Sequence, residues 1–234
     1  MKMKSITIAL AGLVVVAFTA CNGGSTGLSK ANTKITNEKD SIAYALGHSI
    51  GGNLSNQFPG INPNIIANAI VEAYNGEENK LYASSKEADT AIRAYLKSES
   101  DRTANENKEK GEEFLAENAK KEGIKITDSG LQYEIIKEGD GPKPTKENTV
   151  SVMYHGTTID GEVFDSSVER GDTVSFPVTG VIKGWTEGLQ LMNVGSKYRF
   201  YIPSDLAYGK RGAGGKIGPN SALIFDVELI DIKK

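Results

Sequence analysis

Between Lys97 and Glu113 the chain carries a single apolar side chain, Ala104. A helix that is polar all round over that distance finds no place in a core, so it bridges two bodies through solvent. The chain of 234 residues therefore divides into bodies on either side of a stalk. The stalk has a clear start, because Ser84 with Glu87 three residues later forms a capping box. Ala88, Ile92, Tyr95 and Leu96 follow in its first turns, Phe114, Leu115 and Ala119 resume the apolar pattern, and Gly123 ends it. If continuous from Ser85 to Glu122, it would be on the order of 55 Å long at ~1.5 Å per residue. Gly111 weakens that continuity by about 1 kcal/mol. Residues 84–123 thus read as a long connecting helix, its charges forming a solvated surface rather than a binding site.

Upstream, residues 37–83 read as a helical module. Ala43, Leu46, Gly47, Ile50 and Leu54 recur at helical spacing. A second helix has Asn62 as cap, Pro63 in its first turn, a stripe of Ile66, Ala69, Ile70 and Ala73, and Gly76 as its stop. So few large apolar residues make a poor independent core. Pairing with a second copy through residues 37–96 would cure this, and a small monomeric bundle is the alternative the residues leave open. His48, between Gly47 and Ser49, has no catalytic partner nearby in sequence.

The first twenty residues belong to targeting. Lys2 and Lys4 precede an uncharged stretch from Ile6 to Ala20, about fifteen residues, which is short of the roughly 20 a membrane span needs and suits a signal peptide, residues 1–20. Phe18-Thr19-Ala20-Cys21 resembles a bacterial lipobox, and Asn22-Gly23-Gly24-Ser25-Thr26-Gly27 begins a flexible tether over 21–36. The resemblance implies lipidation of Cys21 and a place in the bacterial cell envelope, lipid-anchored and either periplasm-facing or on the outer membrane. An ordinary secretory peptide with an incidental Cys remains the alternative. Removing Lys2 and Lys4 takes the balance of 27 Lys+Arg against 30 Asp+Glu to 25 against 30, a net charge of −5. No basic footprint for nucleic acid results.

After Gly123 the pattern changes to short β-type runs: Leu131–Ile136, Thr149–Thr157, Thr173–Val178, Lys197–Ile202 and Ala222–Ile232. Turn signals such as Asp128-Ser129-Gly130, Asp160-Gly161 and Gly218-Pro219-Asn220 separate most of them. One helix is offered, beginning near Trp185 with Leu189 and Met192 at helical spacing before Gly195. Residues 124–234 therefore form an α+β domain, an antiparallel sheet wrapped over one short helix, preceded by the all-α module and its stalk.

What that domain lacks narrows its chemistry. Lone Cys21 closes no intramolecular disulfide, and Cys21, His48 and His155 are too few and too scattered for a zinc site. Asp165, Ser166 and Ser167 are contiguous, which does not make a triad, and the Gly209–Gly215 stretch misses the phosphate-loop spacing. No cofactor or metal is called for. What remains is a set of aromatic and aliphatic residues beside turns: Tyr154, Phe164, Phe176, Val181, Ile182, Trp185, Tyr208 and Phe225. Core packing would account for most of such a set.

Five blocks in order, Val150–Gly156, Gly161–Ser167, Val181–Leu189, Ile202–Gly209 and Leu223–Leu229, resemble the signature blocks of FKBP-type peptidyl-prolyl cis-trans isomerases. Upstream, Gly111–Gly123, Ser129–Tyr133 and Tyr44–Gly47 resemble the two-domain macrophage-infectivity-potentiator type, with its dimerising helical domain. The resemblance implies an isomerase that acts on unfolded or proline-containing client proteins during folding of exported envelope proteins. It implies Trp185 as the floor for the proline ring, and Tyr154, Phe164, Phe176, Val181, Ile182 and Phe225 as walls. The Ile182 N–H and the Tyr208 hydroxyl would hold substrate carbonyls. Asp165 and Arg170 match the family's charged pair, and macrolide inhibitors are implied as ligands of the same pocket.

Such a site fits the missing catalytic groups. Rotation about an X-Pro bond breaks no covalent bond; its barrier of ~20 kcal/mol is the loss of amide resonance. A twisted amide has less charge separation than a planar one, so an apolar, water-poor pocket favours the transition state. There is no proton to remove, which gives Asp165 an electrostatic, orienting role rather than that of a general base. The competing reading is a holdase chaperone or peptide-binding module with little isomerase activity.

Overall fold

The computed structural model describes residues 34–233. The signal peptide, Cys21 and most of the 21–36 tether lie outside the described residues. Two compact units divide between Ala83 and Ser84.

The first unit contains α1 (Glu38–Gln57) and α2 (Pro63–Tyr74). Each starts at the cap its sequence offers: Asn37 accepts from the Asp40 N–H, and Asn62 from the Asn64 N–H with Pro63 at the first position. No residue of either helix is buried. The apolar stripes instead line an open groove of about 780 Å³ that includes Leu46, Ile50, Leu54, Ile66 and Ile70.

The second unit opens with α3 (Ser85–Asn118), capped by Ser84, whose side chain accepts from the Glu87 N–H. It is one unbroken helix of 34 residues through Gly111, and it ends at Asn118 rather than continuing to Gly123. The expectation that its polar stretch stands in solvent needs correction. From Ala104 onward a stripe of Asn107, Gly111, Leu115 and Asn118 lies against the sheet domain. The buried Asn118 donates to Gln132 Oε1 at 3.0 Å, and Gln132 Nε2 donates to the Leu115 carbonyl at 2.8 Å. Phe114 adds a ring contact to Tyr201 at 6.1 Å. Gly111 is a point of close approach, since a Cβ there would stand 3.1 Å from that of Ala222. Small and amide side chains make this contact, so a search for apolar periodicity passes over it.

The remaining elements are β1 (Lys125–Ile126), β2 (Gln132–Lys137), β3 (Thr149–Thr158), β4 (Val163–Ser166), α4 (Ser167–Arg170), β5 (Val174–Pro177), α5 (Lys183–Leu189), β6 (Lys197–Ile202) and β7 (Leu223–Lys233). All strands pair antiparallel in one sheet ordered β1-β2-β6-β7-β3-β4, with β5 also on β3. Two of the expectations change here. The domain has a second short helix, α4, and Met192 lies past the end of α5 in the turn that follows.

β3 organises the site. Its first half pairs with β5 and its second half with β4, leaving a gap near Tyr154. Ser167, at the start of α4, fills that gap by accepting the Tyr154 N–H at 2.9 Å. Alternation sends Val150, Val152 and Tyr154 inward from β3, Tyr198, Phe200 and Ile202 from β6, and Leu223, Phe225, Val227 and Leu229 from β7. These close over Trp185 and Leu189 of α5. The helix lies close because Gly184 and Gly188 face the sheet, where a Cβ would come 2.5 Å from Ile202 and 2.6 Å from Phe200.

Candidate active site

The centre of the site is Trp185, 4% exposed, in the first turn of α5. Three rings from three strands stand edge-on around its indole. Tyr154 from β3 lies at 5.3 Å and 85°, Phe176 from β5 at 6.0 Å and 90°, and Phe225 from β7 at 5.2 Å and 79°. Phe164 of β4 extends the cluster, edge-on to Phe225 at 5.3 Å. Edge-to-face contacts of this kind contribute about 0.5–1.5 kcal/mol each beyond buried area. The rings are thereby fixed as walls of an open cleft of about 470 Å³, lined also by Asp165, Gly180, Val181, Ile182 and Tyr208.

One polar network lies at its edge. The Tyr154 hydroxyl donates to Asp165 Oδ2 at 2.5 Å, and Arg170 Nη1 donates to Asp165 Oδ1 at 2.6 Å. Arg170 Nη2 also reaches the Tyr154 oxygen at 3.3 Å. Burial alone would raise the Asp165 pKa, but the hydrogen bonds from Tyr154 and Arg170, with the guanidinium charge, outweigh it and hold the carboxyl below its ordinary 3.8. Burial first, then the bond to Asp165, pushes the Tyr154 phenol above 10.0. Burial and the Asp165 charge do the same to Tyr208. Near neutral pH the network is one carboxylate, one guanidinium and protonated phenols. It has a donor to orient and no base in the right range.

Two donors at the cleft are free. Among the described residues, neither the Ile182 N–H nor the Tyr208 hydroxyl has a protein partner. The arrangement can thus hold an apolar ring against an aromatic floor while two donors take carbonyl oxygens.

Over an alignment of 241 residues the chain is 43% identical to the outer membrane protein MIP of Legionella longbeachae, covering 100% of this chain and 99% of that protein. The chain belongs to the FKBP-type peptidyl-prolyl cis-trans isomerases. The family model of that description matches residues 141–230, and the model of the domain amino-terminal to it matches 39–135. The 22 kDa FKBP-type isomerase of Escherichia coli K12 is 56% identical over 122 residues, 52% of this chain and 59% of that one. The crystal structure of FkpA from Escherichia coli superposes with a TM-score of 0.66 at 36% identity, covering 86% of this chain and 99% of that one.

In this FKBP domain nine of the ten sequence-derived pocket residues line a single cleft, and Arg170 stands outside it, connected through Asp165 and Tyr154. Sequence reasoning missed Gly180, which lines the cleft before Val181, and Ser167, whose hydroxyl fixes the backbone of Tyr154. Ser167 carried no local signal, since β4 and α4 on either side of it are four residues each.

The directions of these pKa values fix an expected pH profile. A depressed Asp165 contributes stability above its unfolded value near 3.9 and loses it as pH falls through the lower folded value. The pair is about half exposed, so that contribution is small. Isomerase kcat/KM is expected to stay flat from about pH 5 to pH 9, measured with a proline tetrapeptide, because no cleft group titrates there. An ionisation near pH 6–7 that disappears in Asp165→Asn would show the carboxylate working as a base and would overturn the orienting role.

Proposed function

We propose that the chain accelerates X-Pro isomerisation by seating the proline on Trp185 and letting the amide twist within an apolar, water-poor cleft. The observation that carries this is the edge-on ring of Tyr154, Phe176 and Phe225 around a buried indole, with two unpaired donors beside it. Val181, Ile182 and Phe164 complete the walls. The Ile182 N–H and Tyr208 hydroxyl hold substrate carbonyls, and Asp165 with Arg170 orients Tyr154. Macrolide inhibitors compete for the same cleft.

The clients are exported proteins of the bacterial envelope, and Cys21 carries the lipid that anchors the enzyme there. The chain acts as a homodimer through residues 37–96. In support, every residue of α1 and α2 is at least partly exposed, and the groove of about 780 Å³ between them is lined almost wholly by apolar side chains. Residues 1–20 are the signal peptide, 21–36 the tether, 37–83 the helical dimerisation domain and 124–234 the isomerase domain, joined by the connecting helix, which runs to Asn118, and the short turn after it. Two sites on one dimer would engage an unfolded client at two points and raise apparent affinity through effective concentration.

A soluble chain beginning at Asn22 tests the catalytic and the dimer statements together. Wild type should exceed Asp165→Ala severalfold on a proline peptide; equal rates would sink the orienting role of the carboxylate. Suppression of client aggregation with no difference in isomerisation would favour the holdase. Light scattering should give twice the chain mass. Ile50→Asp is expected to yield a monomer with unchanged peptide kcat/KM and slower catalysis of protein refolding; a wild type of single-chain mass would remove the two-point engagement of a client.

A further inference from the structure

Within the second unit, α3 does more than touch the isomerase domain: its polar contacts at Ala104 and Asn107 converge on the segment that leaves the cleft at Tyr208. Asn107 Nδ2 donates to the Pro219 carbonyl at 2.9 Å and to Ser221 Oγ at 3.3 Å. Gly218 is pressed against the same amide, since a Cβ there would lie 2.8 Å from Asn107 Nδ2. One turn of α3 away, the Ala104 carbonyl accepts from Asn220 Nδ2 at 3.2 Å.

Asn220 is the pivot. Among the described residues it is the one non-glycine with positive φ, at 56°. Its backbone N–H donates to the Gly209 carbonyl at 2.8 Å, one residue from Tyr208. Its side chain meanwhile holds α3. The far side of the segment is pinned separately, by the Ala213–Ile217 pair at 2.9 and 3.0 Å and by Lys216 Nζ on the Val163 carbonyl at 3.0 Å. Hydrogen bonds therefore tie the connecting helix to Gly209, the residue after Tyr208: directly through Asn220, and through Asn107 by way of Pro219 and Ser221 on either side of it.

We infer that Asn107 and Asn220 are positioning residues for Tyr208, and that the connecting helix is part of the isomerase site. The inference rests on the reading of Tyr208 as a donor to a substrate carbonyl. The physical basis is preorganisation. Without the clamp, the 209–222 segment must be ordered when substrate binds, and that lost freedom appears as weaker binding. A loss of this kind raises KM and leaves kcat little changed, whereas general damage to the fold lowers the active fraction and hence kcat.

The test uses the chain from Asn22 and steady-state isomerisation of a proline tetrapeptide. Tyr208→Phe, Asn107→Ala, Asn220→Gly and the Asn107→Ala/Tyr208→Phe double variant are compared well below their thermal midpoints. Asn220→Gly keeps the positive φ at no steric cost and removes just the bond to Ala104, so it reports even if Asn107→Ala folds poorly. KM is expected to rise roughly three- to tenfold in both Asn variants, the size of one or two net hydrogen bonds. In the Tyr208→Phe background the Asn107→Ala effect should vanish, since both act through one group. Unchanged KM in Asn107→Ala and Asn220→Gly while Tyr208→Phe is impaired overturns the clamp alone. A full additional loss in the double variant overturns it as well. Tyr208→Phe with wild-type kinetics overturns the role of Tyr208 and the clamp with it.

Discussion

Trp185→Ala is expected to lower kcat/KM on a proline peptide by about a hundredfold or more, the scale set by losing the surface that positions the reacting group. It should also cost about 3–5 kcal/mol of stability, as for other large aromatic-to-alanine changes in cores. The two effects are separable because a typical domain has ~5–15 kcal/mol in hand, so the variant is measurable at low temperature while still folded. The indole is 4% exposed and is the one ring touched edge-on by Tyr154, Phe176 and Phe225 together. Its removal leaves three walls without a floor. Trp185→Phe gives the sharper comparison. Indole Nε1 is buried with no partner among the described residues, a deficit of about 1–3 kcal/mol that phenylalanine does not carry. Trp185→Phe should therefore be far less destabilised than its lost volume implies, and should retain activity within about tenfold because an apolar floor remains. A folded Trp185→Ala with wild-type kcat/KM would show that the proline does not sit there.

Where the sequence was legible, the reason is periodicity. Lys197–Ile202 is an inner strand whose exposure alternates from Lys197 to Phe200, and its sequence bounds coincide with those of β6. The caps at Asn37, Asn62 and Ser84 were legible because capping is local chemistry. β4 and α4 were not, being four residues each and held by tertiary contacts rather than by any internal repeat. The docking of α3 was hidden for a different reason. Asn107, Gly111 and Asn118 follow helical spacing, but as amides and a glycine they score as polar, and their value comes from partners over a hundred residues away in two cases and fourteen in the third. The cleft was legible as a set of residues through the family resemblance, whereas the aromatic side chains beside turns, taken alone, read as core. Its geometry was not: no local rule says that β3 is interrupted at Tyr154 and bridged by Ser167, which sets the tyrosine against Asp165.

Gly156 shows how tightly that geometry is held. Inward alternation along β3 through Val150, Val152 and Tyr154 reaches Gly156, where the pattern calls for another apolar side chain. The space is already taken. A Cβ at Gly156 would lie 2.7 Å from Phe225 Cε1 and 2.8 Å from Cε2 and Cζ of Phe164. Phe225 cannot retreat, because it is 4% exposed and stands against Trp185 at 5.2 Å. Phe164 is half-buried at the cleft, so the strain of Gly156→Ala is relieved by driving that ring into the space proposed for substrate. The expected outcome is a loss of about 1–3 kcal/mol from overpacking, with a fall in kcat/KM of roughly tenfold or more from a displaced wall. Adding Phe164→Leu should recover much of the stability by removing the rigid ring that blocks the new methyl. Catalysis should recover less, since the cleft regains room but lacks one aromatic wall. Thermal midpoints and peptide kinetics on the single and double variants decide the matter: wild-type kcat/KM in Gly156→Ala would mean that Phe164 and Phe225 can move without consequence, and the fixed aromatic cage would no longer account for the rate.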